Sequence, residues 1–371
     1  MTGPEDHPSP KTKLRRGWTT GACAAAGARA AYEALLTGRF PDPVAITLPG
    51  GQHPRFPLTL AERGAGFARA GIIKDAGDDP DVTHGALVIA KILPGPAHSG
   101  ISFQAGEGVG IVTRPGLALA PGEPAINPAP RAMIRGAISE AARLFRGTGD
   151  VIVEISIPGG EEIAKRTLNA RLGITGGLSI LGTTGIVVPY SCSAWIETIH
   201  RGIDVARACG ITHIAGSTGA ASEAAIKALH GLPDIALIEM GDFAGGMLKY
   251  LRGHPISKVT IAGGFAKMTK LAQGLLDLHS RRGGVDIAWL VACCAEAGAS
   301  ADFAARASAA CSAGELLHLA RHEGIVVAPP VAQAAWRTAA KALRGAKIAL
   351  EIAVFGRNGE LLARTPFLPV H

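Results

Sequence analysis

Four aspartates fall within seven positions of the stretch "GIIKDAGDDPDVTHG", Gly71 to Gly85: Asp75, Asp78, Asp79 and Asp81. Lys74 precedes them and His84 follows. Carboxylates this dense on a turn have three uses. They make a solvated acidic turn, bind a hard cation through oxygen, or take a proton and stabilise a cation beside a substrate. The spacing does not match the calcium loop of EF-hands, which needs glycine at its sixth position and glutamate at its twelfth. The bracketing lysine and histidine make a purely solvated loop less convincing.

Two other stretches place polar groups at a strand-to-helix junction. In "ITHIAGSTGAASEAAIKAL" a strand runs through Gly216 into Ser217, Thr218 and Gly219 and then into a helix, where free amides meet an anion or the polar end of a cofactor. Glu239 closes the next strand 23 residues after Gly216, where such folds bind a ribose hydroxyl. An ordinary βα turn explains the same residues, and the glycines do not spell G-x-G-x-x-G. In "AGGFAKMTKLAQGLLDLHS" Lys267 and Lys270 stand in the first helical turns. Cations there oppose the helix dipole unless an anion sits between them. A third junction, "GWTTGACAAA", puts Thr19, Thr20 and Gly21 ahead of an Ala-rich helix. It is a cap or a binding site.

Other patterns carry less. "GEGVGIV" has the glycines of a nucleotide loop, but Pro115 and Gly116 forbid the helix that should follow. His318 and His322 share a helical face at zinc spacing, without a third ligand or the metalloprotease glutamate. No metal is expected.

These motifs need elements to hold them. The pattern predicts a mobile tail over 1–16 and an α+β domain over 17–190. A parallel-sheet domain follows over 191–345, and a hairpin turning at Asn358-Gly359 over 346–371, its sheet unassigned. In the first domain, helices from Thr20 to about Leu36 and from about Pro130 to Phe145 flank short strands of a largely antiparallel sheet between Val44 and Thr113. In the second, strands at "ITHIAG", "IALIEMG" and "SKVTIAG" alternate with helices, one of them running through Lys267 to Ser280. A helical stretch covers about 285–342.

Composition sets limits. With 371 residues, 47% hydrophobic and 18% charged, the chain suits two buried cores. Aromatics are 5%, too few for stacking platforms along single-stranded nucleic acid. A formal charge of +7 without a dense basic stripe points to an anionic small molecule. Cys23, Cys192, Cys209, Cys293, Cys294 and Cys311 contain no C-x-x-C pair, and most sit in Ala-rich surroundings, which reads as reduced, buried thiols in the cytoplasm. No signal peptide or membrane span is expected.

An ordered series of motifs then carries a resemblance: "GWTTGACAAA", "IIKDAGDDPDVTHG", "GEGVGIVTRPGL", "GEPAINPAPRAMI", "GITGGLSILGTTGIV", "GSTGAASE" and "LAQGLLDLHSR". From about Arg16 to Arg282, and more weakly beyond, the chain resembles the cobalt-precorrin-5B C(1)-methyltransferase family. It departs at Gly264-Phe265-Ala266-Lys267, where a His-x-Gly-Lys pattern belongs, so the lysine is kept and no histidine role is carried over to this stretch. The resemblance implies an α/β fold in two parts, the second Rossmann-like, with S-adenosylmethionine as methyl donor and a carboxylate-rich tetrapyrrole as acceptor. Ser217, Thr218, Gly219 and Glu239 are then expected to hold the donor. Asp75, Asp78 and Asp81 orient the macrocycle or act as base. Arg131, Lys267 and Lys270 pair its carboxylates, with Lys74, and Thr19 and Thr20 become a carboxylate-binding helix start. A homo-oligomer or transient contact with neighbouring pathway enzymes is compatible with this reading. The alternatives are a tetrapyrrole carrier without activity and a nicotinamide-dependent reductase.

Overall fold

Gly17–Trp18 forms a short strand, β1, and the Ala-rich run after it folds into α1, Thr20–Thr37, in a computed structural model that describes residues 14–280 and 283–370. Alanine is the strongest helix former and has no side-chain entropy to lose. Thr19 Oγ1 accepts from the Ala22 amide at 3.2 Å, and Gly38 ends the helix at φ 81°. α1 is buried on nearly every side, as a surface helix is not. Small residues permit this: a Cβ on Gly27 would lie 3.0 Å from the Ala70 carbonyl oxygen, and one on Gly21 2.8 Å from Pro130. What approaches this bare helix is the protein itself.

The first of two units spans the chain to Arg114 together with Ala118–Ser191. Val44–Ala45 (β2) and Arg55–Phe56 (β3) make a separate ribbon. Leu60–Gly64 (β4), Phe67–Ile73 (β5), Leu87–Pro94 (β6) and Ile101–Ala105 (β7) follow, then Ile111–Val112 (β8), Pro128–Phe145 (α2) and Val151–Ser156 (β9). The sheet runs β4-β5-β6-β9-β7, antiparallel except for β7 beside β9. β6 and β9 alternate buried and half-buried residues, the period of two that puts Val88, Ile92, Val153 and Ile155 in one core. α1 packs on β5, β6 and α2. Gly160–Ala164 (α3), Ile174–Thr175 (β10) and Ile186–Val187 (β11) complete the unit, β10 pairing β8 and β11 pairing β1. The expected sheet is therefore smaller than its apolar runs. Pro57, with no amide to donate, follows the end of β3. Gly108, at φ 69°, turns the chain away before β8.

The second unit holds Pro115–Leu117 and Cys192–His371. Its elements are Cys192–Ala208 (α4), His213–Ser217 (β12), Ala220–His230 (α5), Leu237–Glu239 (β13), Ala244–Gly253 (α6), Lys258–Gly264 (β14) and Phe265–Ala272 (α7). Four helices follow: Ile287–Glu296 (α8), Ala301–Ala307 (α9), Ala313–His322 (α10) and Ala328–Leu343 (α11). Side chains of Asp286, Ser300 and Ser312 cap the first three, so the expected helical stretch is cut into short pieces. α7 stops eight residues short of Ser280 because Gly274 takes φ 93°. Last come Ala349–Phe355 (β15), Leu361–Arg364 (β16) and Leu368–Pro369 (β17).

β13, β12, β14 and β15 are parallel in that order, and β16 and β17 return antiparallel on β15. The hairpin at Asn358-Gly359 thus joins the parallel sheet through its first strand. β12, first in the chain, sits between the second and third strands. The winding therefore reverses between β12 and β14, and in such sheets ligands bind outside the carboxyl ends at that reversal.

The structure describes only the end of the expected tail. Residues 1–13 lie outside the described part, and Arg15 is tied down by Asp75 and Asp78. All six cysteines are free, but only Cys23, Cys293 and Cys294 are buried; Cys192 and Cys311 are exposed. Burial pushes the Cys23 thiol up to about 12, which makes it inert. Among the described residues, no helix is long and apolar enough to cross a membrane.

Within the parallel sheet, Glu351 is 2% exposed. Its Oε2 accepts the Thr260 hydroxyl at 2.8 Å and lies 2.6 Å from His230 Nε2. Thr260 spends its proton there, so its oxygen accepts from His213 Nε2 at 2.9 Å. Burial, with His230 and Lys258 nearby, lowers His213 to about 4. Unfolded histidine takes a proton near pH 6.5, so between those values the unfolded chain binds more protons. This contribution is intact above pH 6.5 and is lost as pH falls toward 4, with a slope of at most about 1.4 kcal/mol per unit. His213→Gln keeps a donor for Thr260 and is expected to flatten the difference in urea-unfolding free energy between pH 7 and pH 5. An unchanged difference would assign it to another group.

Candidate functional site

In the first unit the acidic turn is held from four directions. Asp75 accepts from the Arg15 guanidinium at 2.8 Å and from the Gly77 amide at 2.9 Å. The Arg15 hydrogen bond, then the Gly77 amide, hold its carboxyl down at about 2. Asp78 Oδ2 accepts the Arg15 amide at 2.6 Å, and Asp79 Oδ1 accepts the Tyr190 amide at 2.8 Å. Lys74, 1% exposed, pairs with Asp81 and donates to Thr83 Oγ1 at 2.6 Å. Asp81 Oδ1 accepts the amide and hydroxyl of Thr83 at 2.8 and 2.6 Å. Burial works against the Asp81 charge, but Lys74 and Thr83 outweigh it and leave its carboxyl below the ordinary range. The Ala76 amide donates to His84 Nδ1 at 3.1 Å, which leaves the ring proton on Nε2. Asp78 and His84 are the exposed polar members.

The expected carboxylate-binding helix start is spent internally. The Thr19 amide donates to Gly185 O, Gly21 to Leu181 O and Ala22 to Thr19 Oγ1, while Thr19 and Thr20 are buried. Arg131 likewise braces its own turn: it pairs with Glu123 at 2.7 Å and donates to Ile126 O and Pro124 O. Two layers close on α1 and need its first amides satisfied, which the local sequence does not reveal.

In the second unit the carboxyl edge of the parallel sheet collects three loops. Thr218 N donates to Ala262 O at 3.0 Å, joining the end of β12 to β14. Gly263 is forced by that approach, since its Cβ would lie 2.9 Å from Thr218. Gly219 and Gly264 are not forced. A Cβ at either meets nothing within 4 Å. Gly219 is extended at φ 167° and Gly264 has φ −67°, both open to any residue. They precede α5 and α7, and neither helix start has a side-chain cap. Two helix N-termini therefore stand at the reversal with bare backbone before them, an arrangement suited to an anionic or polar ligand group.

Glu239 ends β13 in register with Ser217. Ser217 itself is fully buried, its hydroxyl turned to Glu223 at 3.3 Å and its carbonyl accepting the Met240 and Gly241 amides. It shapes the edge without facing it. Lys267 pairs with Asp242, and burial, then the charge of Lys270, lowers its pKa. Lys270 is buried and donates to Leu278 O at 3.1 Å, so its charge is directed inward. His318 and His322 are both exposed, and among the described residues no three His, Cys, Asp or Glu side chains gather as a metal site.

The family profile described as CbiD matches residues 7–189, and that of the CbiD C-terminal domain matches 277–366. Proteins of a Bradyrhizobium species and of Methylorubrum extorquens, both named cobalt-precorrin-5B C(1)-methyltransferase, are each 61% identical to the chain. The alignments cover 95% and 94% of this chain and 93% and 97% of theirs. The chain belongs to the cobalt-precorrin-5B C(1)-methyltransferase family. A crystal structure titled as cobalamin biosynthesis protein (cbiD) from Archaeoglobus fulgidus is 32% identical, over 72% of this chain and 83% of that one, with a TM-score of 0.40.

For a member of the cobalt-precorrin-5B C(1)-methyltransferase family, Phe265 is a plain core residue, 5% exposed in the apolar centre of the second unit. Sequence reasoning missed Arg15, Thr83, Asp242 and Trp195. Asp242 had a signal, since it follows Glu239 and Gly241 at a strand end. Thr83 had one too, since it lies two residues after Asp81 on the same turn, whereas Arg15 had none, because its partner Asp75 is 60 residues away.

Proposed function

We propose that the chain methylates C1 of cobalt-precorrin-5B, giving cobalt-precorrin-6A, with S-adenosylmethionine as donor, as one step of cobalamin corrin-ring assembly. The carrying observation is the pair of unforced glycines, Gly219 and Gly264, before two uncapped helices at the winding reversal. This reading takes 17–190 and 191–345 as the two domains, the second Rossmann-like, with 346–371 completing its sheet.

The residues fit the donor. Thr218 and the amides that open α5 suit its carboxylate, and Glu239 suits its ribose hydroxyls. When bound, S-adenosylmethionine supplies a methyl group on a sulfonium, transferred by in-line displacement. The chain therefore needs to align two partners and exclude water more than to activate a nucleophile. In this reading Asp78, exposed on the acidic turn, takes a proton as the macrocycle's conjugation adjusts. Asp75, Asp81 and Lys74 hold that turn in shape. The +7 charge favours encounter with a carboxylate-rich acceptor.

Calorimetric titration with S-adenosylhomocysteine, then mass spectrometry of acceptor incubated with donor, tests the proposal. Saturable binding and a gain of one methyl group replacing one hydrogen are expected. Binding of the tetrapyrrole with no affinity for S-adenosylhomocysteine would make the chain a carrier.

A further inference from the structure

Trp195, in the first turn of α4, is 45% exposed, although an indole is among the costliest side chains to leave in water. It is not loose there. Its Nε1–H donates to the Glu239 carbonyl at 3.2 Å. The edge of its ring that carries Nε1, Cε2 and Cζ2 lies by Gly241, whose Cβ would stand 3.5 Å from Nε1 and Cζ2. Gly241 has φ 55°, a conformation that favours glycine. The ring is thus fixed at the carboxyl end of β13, beside the residue assigned to the ribose, with part of its surface uncovered.

A nucleoside held through its ribose at Glu239 carries its base a few ångströms further on. A flat aromatic surface bonded to the Glu239 backbone suits a base, because stacking needs no hydrogen-bond partner and loses little entropy on a pinned ring. We propose that Trp195 is the stacking platform for the adenine of the methyl donor. The inference rests on the donor lying at this edge, and it adds the residue that selects an adenine nucleoside there.

The test is calorimetry of the full chain, the W195A and W195F variants and G219V, with S-adenosylhomocysteine and, by competition, adenosine. W195A is expected to weaken both ligands about tenfold or more. W195F is expected to recover most of that loss, since phenylalanine stacks but cannot donate to Glu239. Both variants lose the bond to Glu239 and should unfold at similarly lowered temperatures, so recovery of binding in W195F alone separates stacking from a merely structural role. W195A binding both ligands like the parent, while G219V fails to bind, would overturn the platform and leave the donor site standing. W195A weakening S-adenosylhomocysteine but not adenosine would also overturn it, by placing the indole on the amino-acid end. A parent that binds neither ligand, or a G219V that binds like the parent, would remove the donor site and the platform together.

Discussion

Lys74→Met is expected to destabilise the first unit by about 3–5 kcal/mol, the range for breaking one side of a buried ion pair. Lys74 is 1% exposed and Asp81 26%, so methionine would leave a largely desolvated carboxylate held by Thr83 alone. The lysine stem is apolar and methionine nearly fills it, so little of the loss comes from packing. Adding Asp81→Asn should recover most of it, because a neutral amide can still accept from Thr83. Urea unfolding measures both variants. A K74M chain within about 1 kcal/mol of the parent would mean that the pair contributes nothing net, as many exposed pairs do. Turnover should fall with K74M even where the chain stays folded, because the same contacts set the shape of the turn that carries Asp78.

Gly219→Val and Gly264→Val are expected to leave stability within about 1 kcal/mol of the parent and to weaken S-adenosylhomocysteine by about 100-fold or more, roughly 2.7 kcal/mol. The two halves of this expectation come from separate facts. Nothing in the chain lies within 4 Å of either Cβ position, and both backbones are in regions valine adopts. The fold therefore tolerates the side chain, while a ligand against bare backbone does not. Gly263→Val is the contrast: its Cβ would lie 2.7 Å from Met268 Sδ and 2.9 Å from Thr218, so it should lose stability by about 1–3 kcal/mol. If G219V and G264V unfold early instead, the glycines serve the fold and the argument for a ligand at the reversal is lost. If they fold and bind normally, the ligand lies elsewhere.

The elements and the family are written in local signals. Ala-rich periodicity, Gly and Pro punctuation and strand–helix alternation all act over a few positions, and α1, α2, α4, α5, α6 and the strands β12 to β14 lie close to where those signals put them. The ordered motifs named the family without any structure. Which polar groups are free is a different matter, and folding in three dimensions settles it. Arg131, Lys270, Ser217 and the helix start at Thr19 read as ligand contacts from residue type, yet each is engaged by its own unit. The converse holds for Gly219 and Gly264, which read as ordinary turn glycines in the sequence but face open space in the fold. The physical reason is range. A helix or turn is set by neighbours within a few positions, whereas Arg15 meets Asp75 across 60 residues and His230 meets Glu351 across 121. Whether a charge is free to receive a ligand depends on partners that only folding brings near.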